Sequence, residues 1–443
     1  MNKLAILGGA PVRTTSFPAY VTVGQEEKDA VCRVIDSGVL SRYLGCWHEQ
    51  FYGGQEVQAL EKEWAAHYSV RHAVAVNSAT SGLICAVGAV GISPGDEVIV
   101  SPWSMCISAT APLFYGAIPV FADIEPDCFC LDPQSIERKI TPRTKAIIVV
   151  DLFGQPYDAD AINALATRHG LTVIEDTAQA PGAHLHGTPA GTLGHVGVFS
   201  LNYHKHIHCG EGGVIVTNDD ALAERLRYIR NHAEAVASGH PVDDLTNMLG
   251  YNFRMTEMDA AIARCQLVKL ETLNRKRLEN IAYLENALKD IPCLTMPKVR
   301  YDAKHVYYVH AMRYDKDKAD GVSAQTFVGA LKAELPHFRL REKEGTKLGC
   351  GYAVPLYRMP IFQKLKAIGR EGWPFNLRPE VSYPLGLCPK CESLHAGGVV
   401  THEFMLPSLE RDDLDDVLTA FHKVYRHRDT LKKTLETSDD ANA

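Results

Sequence analysis

Within residues 55–68 the apolar positions Val57, Leu60, Trp64 and Tyr68 recur at steps of three, four and four, a spacing that predicts an amphipathic helix. The period then shortens. Residues 72–76 form a brief apolar run, followed by Asn77-Ser78-Ala79-Thr80-Ser81-Gly82 and a helical stretch through Val90. Pro94-Gly95-Asp96 turns the chain into a strand over 97–100, and further strands are predicted at 118–121, 145–150, 171–174, 196–199 and 213–217. Strand runs that alternate with helical patterns predict an α/β fold with a mostly parallel, seven-stranded sheet covered on both faces. Ligands of such sheets gather at the carboxyl ends of the strands, and Thr80, Asp176 and Ser200 all lie just past predicted strand ends.

Past Leu273 the texture changes. A charged helix over 273–288 leads to one strand-like run, 306–312, a proline-rich stretch over 354–389, and a last helix over 414–425. That last helix carries Leu414, Val417, Leu418, Phe421 and Val424 on one face. The pattern predicts a smaller C-terminal α+β domain. The expected division is an N-terminal arm (1–25), a large domain (26–272), a small domain (273–430) and a polar tail (431–443).

Composition narrows the class of partner. A chain of 443 residues is long enough for two domains. Its net charge of −7 lacks the basic footprint of a nucleic-acid binder. No run approaches the ~20 apolar residues of a membrane span, so no membrane partner is expected. The first residues show no cleavable signal pattern, and the twelve cysteines are scattered, which is the usage expected of reduced thiols in a cytoplasmic protein.

One stretch carries chemistry. A β-branched strand delivers Asp176 within Ile174-Glu175-Asp176-Thr177-Ala178-Gln179, and a second strand delivers Ser200. Lys205 follows 29 residues after the aspartate, inside His204-Lys205-His206 and ahead of Gly210-Glu211-Gly212-Gly213. An acid that holds a ring nitrogen protonated, a hydroxyl for a phosphate and an amine that condenses with an aldehyde are what pyridoxal phosphate requires. Ala79-Thr80-Ser81-Gly82 at a strand-to-helix turn adds a phosphate cradle, because a helix N-terminus presents unsatisfied amides and a favourable dipole. Each feature alone has an ordinary reading, as a solvated lysine or a helix cap. Together they supply the groups that the cofactor needs. His204, His206 and His208 alternate and would share one side of an extended segment, and Cys388-Pro389-Lys390-Cys391 is a lone CxxC. Neither pattern supplies a complete metal site, so no metal is expected.

These motifs, together with Phe153-Gly154-Gln155-Pro156 and Gly250-Tyr251-Asn252-Phe253-Arg254-Met255-Thr256-Glu257, resemble the DegT/DnrJ/EryC1/StrS family of sugar aminotransferases over nearly the whole chain. The resemblance implies a fold type I transferase similar to aspartate aminotransferase, pyridoxal 5′-phosphate as cofactor, and a homodimer with shared sites. It implies L-glutamate or L-glutamine as amino donor and a keto-sugar as acceptor, in amino-sugar, surface-polysaccharide or lipopolysaccharide synthesis. Lys205 and Asp176 would be the catalytic pair, with Ala79, Thr80, Gln179 and Ser200 around the cofactor and Asn252 reaching the phosphate of a neighbouring subunit. Arg254, with its planar fork, is expected to clamp the donor carboxylate. The family's ring-stacking aromatic falls on Met105, a departure; a thioether also contacts rings, and Trp103 would compensate only through a loop shift. Segment 41–53, with Arg42, Tyr43, Trp47, His48 and Tyr52, is a candidate substrate loop, and Pro389 with Glu392 matches a family Pro-x-x-Glu element. Two other readings remain: a sugar dehydratase on the same fold, in which histidine often replaces the lysine, and a non-catalytic cofactor-binding homologue.

Overall fold

In the computed structural model, which describes residues 3–237, 239 and 242–432, the seven predicted strands join in one sheet. They are β1 (His72–Val76), β2 (Glu97–Val100), β3 (Ile118–Phe121), β4 (Thr144–Val150), β5 (Thr172–Asp176), β6 (Val196–Ser200) and β7 (Gly213–Thr217), in the order β1-β7-β6-β5-β4-β2-β3. Strands β2 to β6 pair in parallel, whereas β7 runs antiparallel to both β6 and β1. The strand period of two sorts side chains to opposite faces. In β1, Ala73 and Ala75 join a core with helix α1 (Gln55–His67), while Val74 and Val76 join the core that holds helix α2 (Ala79–Ala89). Both faces are therefore buried, as near-continuous apolar strands require.

Helix α3 (Glu257–Leu288) corrects one expectation. The helix expected over 273–288 begins at Glu257 instead, a single rod of 32 residues, about 48 Å long. Nothing in Glu271-Thr272-Leu273-Asn274 breaks it, since no glycine or proline intervenes. Two of its buried polar residues bond outside the helix: Asn274 Nδ2 donates to the Pro181 carbonyl and Arg277 Nη1 to the Tyr307 carbonyl. Thr256 caps its start by accepting from the Asp259 amide at 3.2 Å.

A second, antiparallel sheet contains β8 (Leu294–Thr295), β9 (His310–Tyr314), β10 (Leu348–Cys350) and β11 (Val399–His402), in the order β8-β9-β11-β10. Helices α4 (Ala324–Glu334) and α5 (Arg411–Arg426) back it, and the five apolar positions expected on one face of α5 are all buried. The strand expected at 306–312 begins later. Residues 305–309 cross to the turn after β4 instead, where the Val306 and Tyr308 amides donate to the carbonyls of Gly154 and Phe153 and Tyr307 adopts a positive φ of 48°. Leu431, expected as the first residue of the tail, is buried in the core of this sheet; residues 433–443 lie outside the described residues.

The proline-rich stretch returns to the large sheet and covers its β3 edge. Tyr383 donates to the Pro119 carbonyl at 2.8 Å, and the rings of Tyr357, Phe362 and Tyr383 lie 5.2–5.5 Å from Phe121. Cys388 and Cys391 are free, buried thiols in the same core, with the Cys391 amide donating to Asp123. Among the described residues no helix is long and apolar enough to cross a membrane.

Candidate active site

At the carboxyl ends of β5 and β6 opens a cavity of 590 Å³ whose lining includes Ala79, Thr80, Met105, Asp176, Gln179, Ser200 and Lys205. Strand alternation decides which of two adjacent acids enters it. Asp176 faces the cavity; Glu175 points the other way and accepts from the amides of Gly191, Leu193 and Gly194. The Asp176 carboxylate accepts from Ser108 Oγ at 2.8 Å and from the Ala178 amide at 3.1 Å. Burial raises its pKa, and those two donors with Lys205 pull against the rise.

Lys205 sits on a turn held by its own amide donating to the Asn202 carbonyl at 2.9 Å. Its Nζ lies 4.4 Å from the centre of the Tyr308 ring, a cation–π seat. Burial lowers its pKa to about 8, against the opposing pull of Asp176 and Glu403. An amine of that kind is a usable nucleophile and proton carrier near neutral pH.

The phosphate end is a matter of backbone. Ser78 caps α2 and its hydroxyl accepts from the Ser81 amide at 3.0 Å, which leaves Ala79 and Thr80 as first-turn amides without a helical partner. Gly213 of β7 backs this corner so closely that a Cβ there would meet Ala79 N at 2.8 Å. Two free amides, the nearby Ser200 hydroxyl, a buried carboxylate and a buried amine fit pyridoxal phosphate. When bound, that cofactor supplies an electron sink for bonds broken at an amino-bearing carbon.

Several functional neighbours were not singled out from sequence. Ser108, Tyr308 and Tyr352 come from segments whose spacing gives no motif. Tyr352 takes a hydrogen bond from Gln179 Nε2 at 3.2 Å, while Gln179 Oε1 accepts from the Phe153 amide. Met105 lines the cavity and is exposed, but Trp103 is fully buried against Phe129, Phe153 and Tyr352, with Nε1 on the Ala353 carbonyl, and so stays out of reach of a bound ring. The three histidines do not share one side, because the segment turns rather than extends. His204 lines the cavity and accepts from Arg341, whereas His206 is buried with Nε2 at the Val306 carbonyl. Segment 41–53 packs away from this cavity: Phe51 lies against Tyr228, and Asn231 Nδ2 donates to the Leu44 and Phe51 carbonyls. Asn252 and Arg254 likewise lie outside the cavity lining and hold one another, with Arg254 Nε donating to Asn252 Oδ1 at 2.8 Å.

Comparison with known proteins agrees with this geometry. The DegT/DnrJ/EryC1/StrS aminotransferase family matches residues 45–367. The chain is 33% identical over 436 residues to the L-glutamine:2-deoxy-scyllo-inosose aminotransferase of Streptomyces paromomycinus, covering 96% of this chain and 98% of that one. It is 32% identical over 416 residues to the spore coat polysaccharide biosynthesis protein SpsC of Bacillus subtilis, covering 92% and 96%. Among solved structures, S. venezuelae DesV in complex with a ketimine intermediate superposes with a TM-score of 0.75 at 31% identity, over 93% of this chain and 99% of DesV. With a family match across most of its length and relatives aligned end to end, the chain belongs to the DegT/DnrJ/EryC1/StrS aminotransferase family.

Proposed function

We propose that this enzyme uses pyridoxal 5′-phosphate to move an amino group from L-glutamine or L-glutamate to a cyclic keto substrate, a keto-sugar or a cyclitol ketone, in amino-sugar or surface-polysaccharide synthesis, including that of lipopolysaccharide. The observation that carries the reading is the convergence of Lys205, Asp176, Ser200 and the α2 N-terminus on one cavity. Ala79, Thr80 and Ser200 would hold the phosphate, and Asp176 would keep the ring nitrogen protonated. Met105 would contact the ring, and Gln179, fixed by Phe153 and Tyr352, would help to orient it. Lys205, with an amine poised near pH 8, takes a proton at the substrate's reacting carbon and returns it on the other side of the transfer. Asn252 and Arg254, which lie outside the cavity of their own chain, serve that of a neighbouring subunit in a cytoplasmic homodimer, Asn252 at the phosphate and Arg254 at the donor carboxylate. The large (26–272) and small (273–430) domains are joined through the continuous α3, with the arm 1–25 strapped across by Phe17 on Phe338 and Phe404.

A dehydratase of this fold would replace the lysine, often with histidine. Here His204 is tied to Arg341 and His206 to the Val306 carbonyl, so neither stands where Lys205 does. The test is the absorption spectrum of wild type and Lys205→Ala with pyridoxal phosphate, before and after L-glutamine or L-glutamate. The wild type should show a cofactor band that the donor bleaches, and the variant should show neither the covalent band nor bleaching. A wild type that takes up no cofactor sinks the reading.

A further inference from the structure

Arg341, in the loop before β10, donates from Nη2 to His204 Nδ1 at 2.8 Å. A guanidinium has donors only and keeps its proton, so Nδ1 must be the accepting nitrogen. The imidazole is then neutral, and its single proton sits on Nε2. Arg341 is itself held in place: Nη1 donates to Glu403 at 3.0 Å, Nη2 and Nε donate to Glu344 at 2.7 and 3.1 Å, and Lys347 closes the cluster against Glu344. The His204 amide donates to Asn202 Oδ1 at 3.2 Å, and the Tyr203 ring packs on the imidazole with centroids 3.7 Å apart. Nε2 has no partner among the described residues, and the residue lines the cavity next to Lys205.

We infer that His204 is a specificity-determining residue, locked by Arg341 as a neutral Nε2–H donor that takes an oxygen of the bound substrate. The inference rests on the aminotransferase reading above. Two sources of that oxygen share the chemistry: the carboxyl or amide carbonyl of the amino donor, and a ring oxygen function of the keto acceptor. The charged groups around the imidazole are Arg341 and Lys347, which oppose its protonation, Glu344 and Glu403, which favour it, and the adjacent Lys205. Burial is the largest influence and also disfavours the imidazolium.

The test has two arms. In cofactor-free protein labelled with ¹⁵N-histidine, the resonances lost in His204→Gln should be those of a neutral Nε2–H tautomer at pH 7. In Arg341→Met the pKa should rise, because a cation that opposes protonation is gone, and the tautomer should no longer be fixed. An imidazolium or an Nδ1–H tautomer for His204 at pH 7 in the wild type overturns the lock. In the second arm, donor affinity is read from bleaching of the cofactor band and acceptor KM from turnover. His204→Gln, whose amide nitrogen reaches the Nε2 position, should keep both within about threefold of wild type, whereas the shorter His204→Asn should weaken one of them about tenfold with little change in kcat, the loss of one hydrogen bond. Whichever constant moves identifies the oxygen's source. Unchanged constants in His204→Asn and His204→Leu, both verified as folded by melting, overturn the inference. A wild type that no donor bleaches would instead sink the aminotransferase reading, and the tautomer arm would still decide on the lock.

Discussion

Gly213→Ala tests the phosphate corner most sharply. Its Cβ would lie 2.8 Å from Ala79 N, 2.8 Å from the Ser78 carbonyl carbon and 2.9 Å from the Phe199 carbonyl oxygen. All three are backbone atoms, so no side chain can rotate away, and reaching ordinary contact at 3.4 Å requires a shift of about 0.6 Å. Strand β7 is pinned on both sides, Gly213 facing Val76 of β1 and Ser200 of β6, so the start of α2 is the part that moves. Overpacking of this kind costs about 1–3 kcal/mol. Expressed at Ala79 and Thr80, that is a loss of cofactor affinity of about 5- to 150-fold. Titrating cofactor-free protein with pyridoxal phosphate by absorption measures it directly. Gly329→Ala in α4 is the control: a Cβ there meets nothing within 4 Å, and the substitution should stabilise the helix by ~0.5–1 kcal/mol without touching affinity. Affinity within twofold of wild type in Gly213→Ala would refute the reasoning.

Other expectations concern protons and subunits. With the Lys205 amine at about pH 8, cofactor uptake should rise with pH and reach half its maximum near that value; Asp176→Asn removes a charge that raises this pKa and should move the midpoint lower, and a flat profile between pH 6 and 10 counts against the assignment. His206, His305 and His402 have pKa values lowered by burial, so below about pH 6.5 the unfolded chain binds protons the folded one does not. Each should lower stability by on the order of 1 kcal/mol between pH 6.5 and 5.5, seen as a falling melting temperature; an unchanged one excludes the effect. Mixing Lys205→Ala with Asn252→Ala subunits should restore activity that each lacks alone, because a shared site pairs the intact Lys205 of one chain with the intact Asn252 of the other. No recovery in the mixed dimer would place Asn252 in its own subunit's site.

Local pattern made much of this molecule legible. Short β-branched runs announced the strands, and strand ends announced where Asp176 and Ser200 would meet Lys205. What escaped was information held between distant segments. The reversed direction of β7 depends on which neighbours it pairs with, not on its composition. The span 305–309 looks like a strand by its side chains, but its amides bond to Phe153 and Gly154 and carry Tyr308 beneath Lys205. Ser108 and Arg341 reach Asp176 and His204 across 68 and 137 residues, and no spacing rule covers such distances. Segment 41–53 has the aromatic make-up of a binding loop, yet Phe51 is buried against Tyr228, because apolar area is as well spent on packing as on ligands.

The covering of strand β3 also has a cost in time. An edge strand offers a row of open amides and carbonyls to any other chain. The tyrosine that closes over this one, Tyr383, lies 264 residues after its acceptor, Pro119. At a synthesis rate of roughly 5–20 residues per second, the edge emerges from the ribosome about 13–50 s before its cover does. A message cut short ahead of codon 383 would therefore yield a polypeptide prone to aggregate rather than one merely lacking activity, and slower growth at high expression would not shorten that interval.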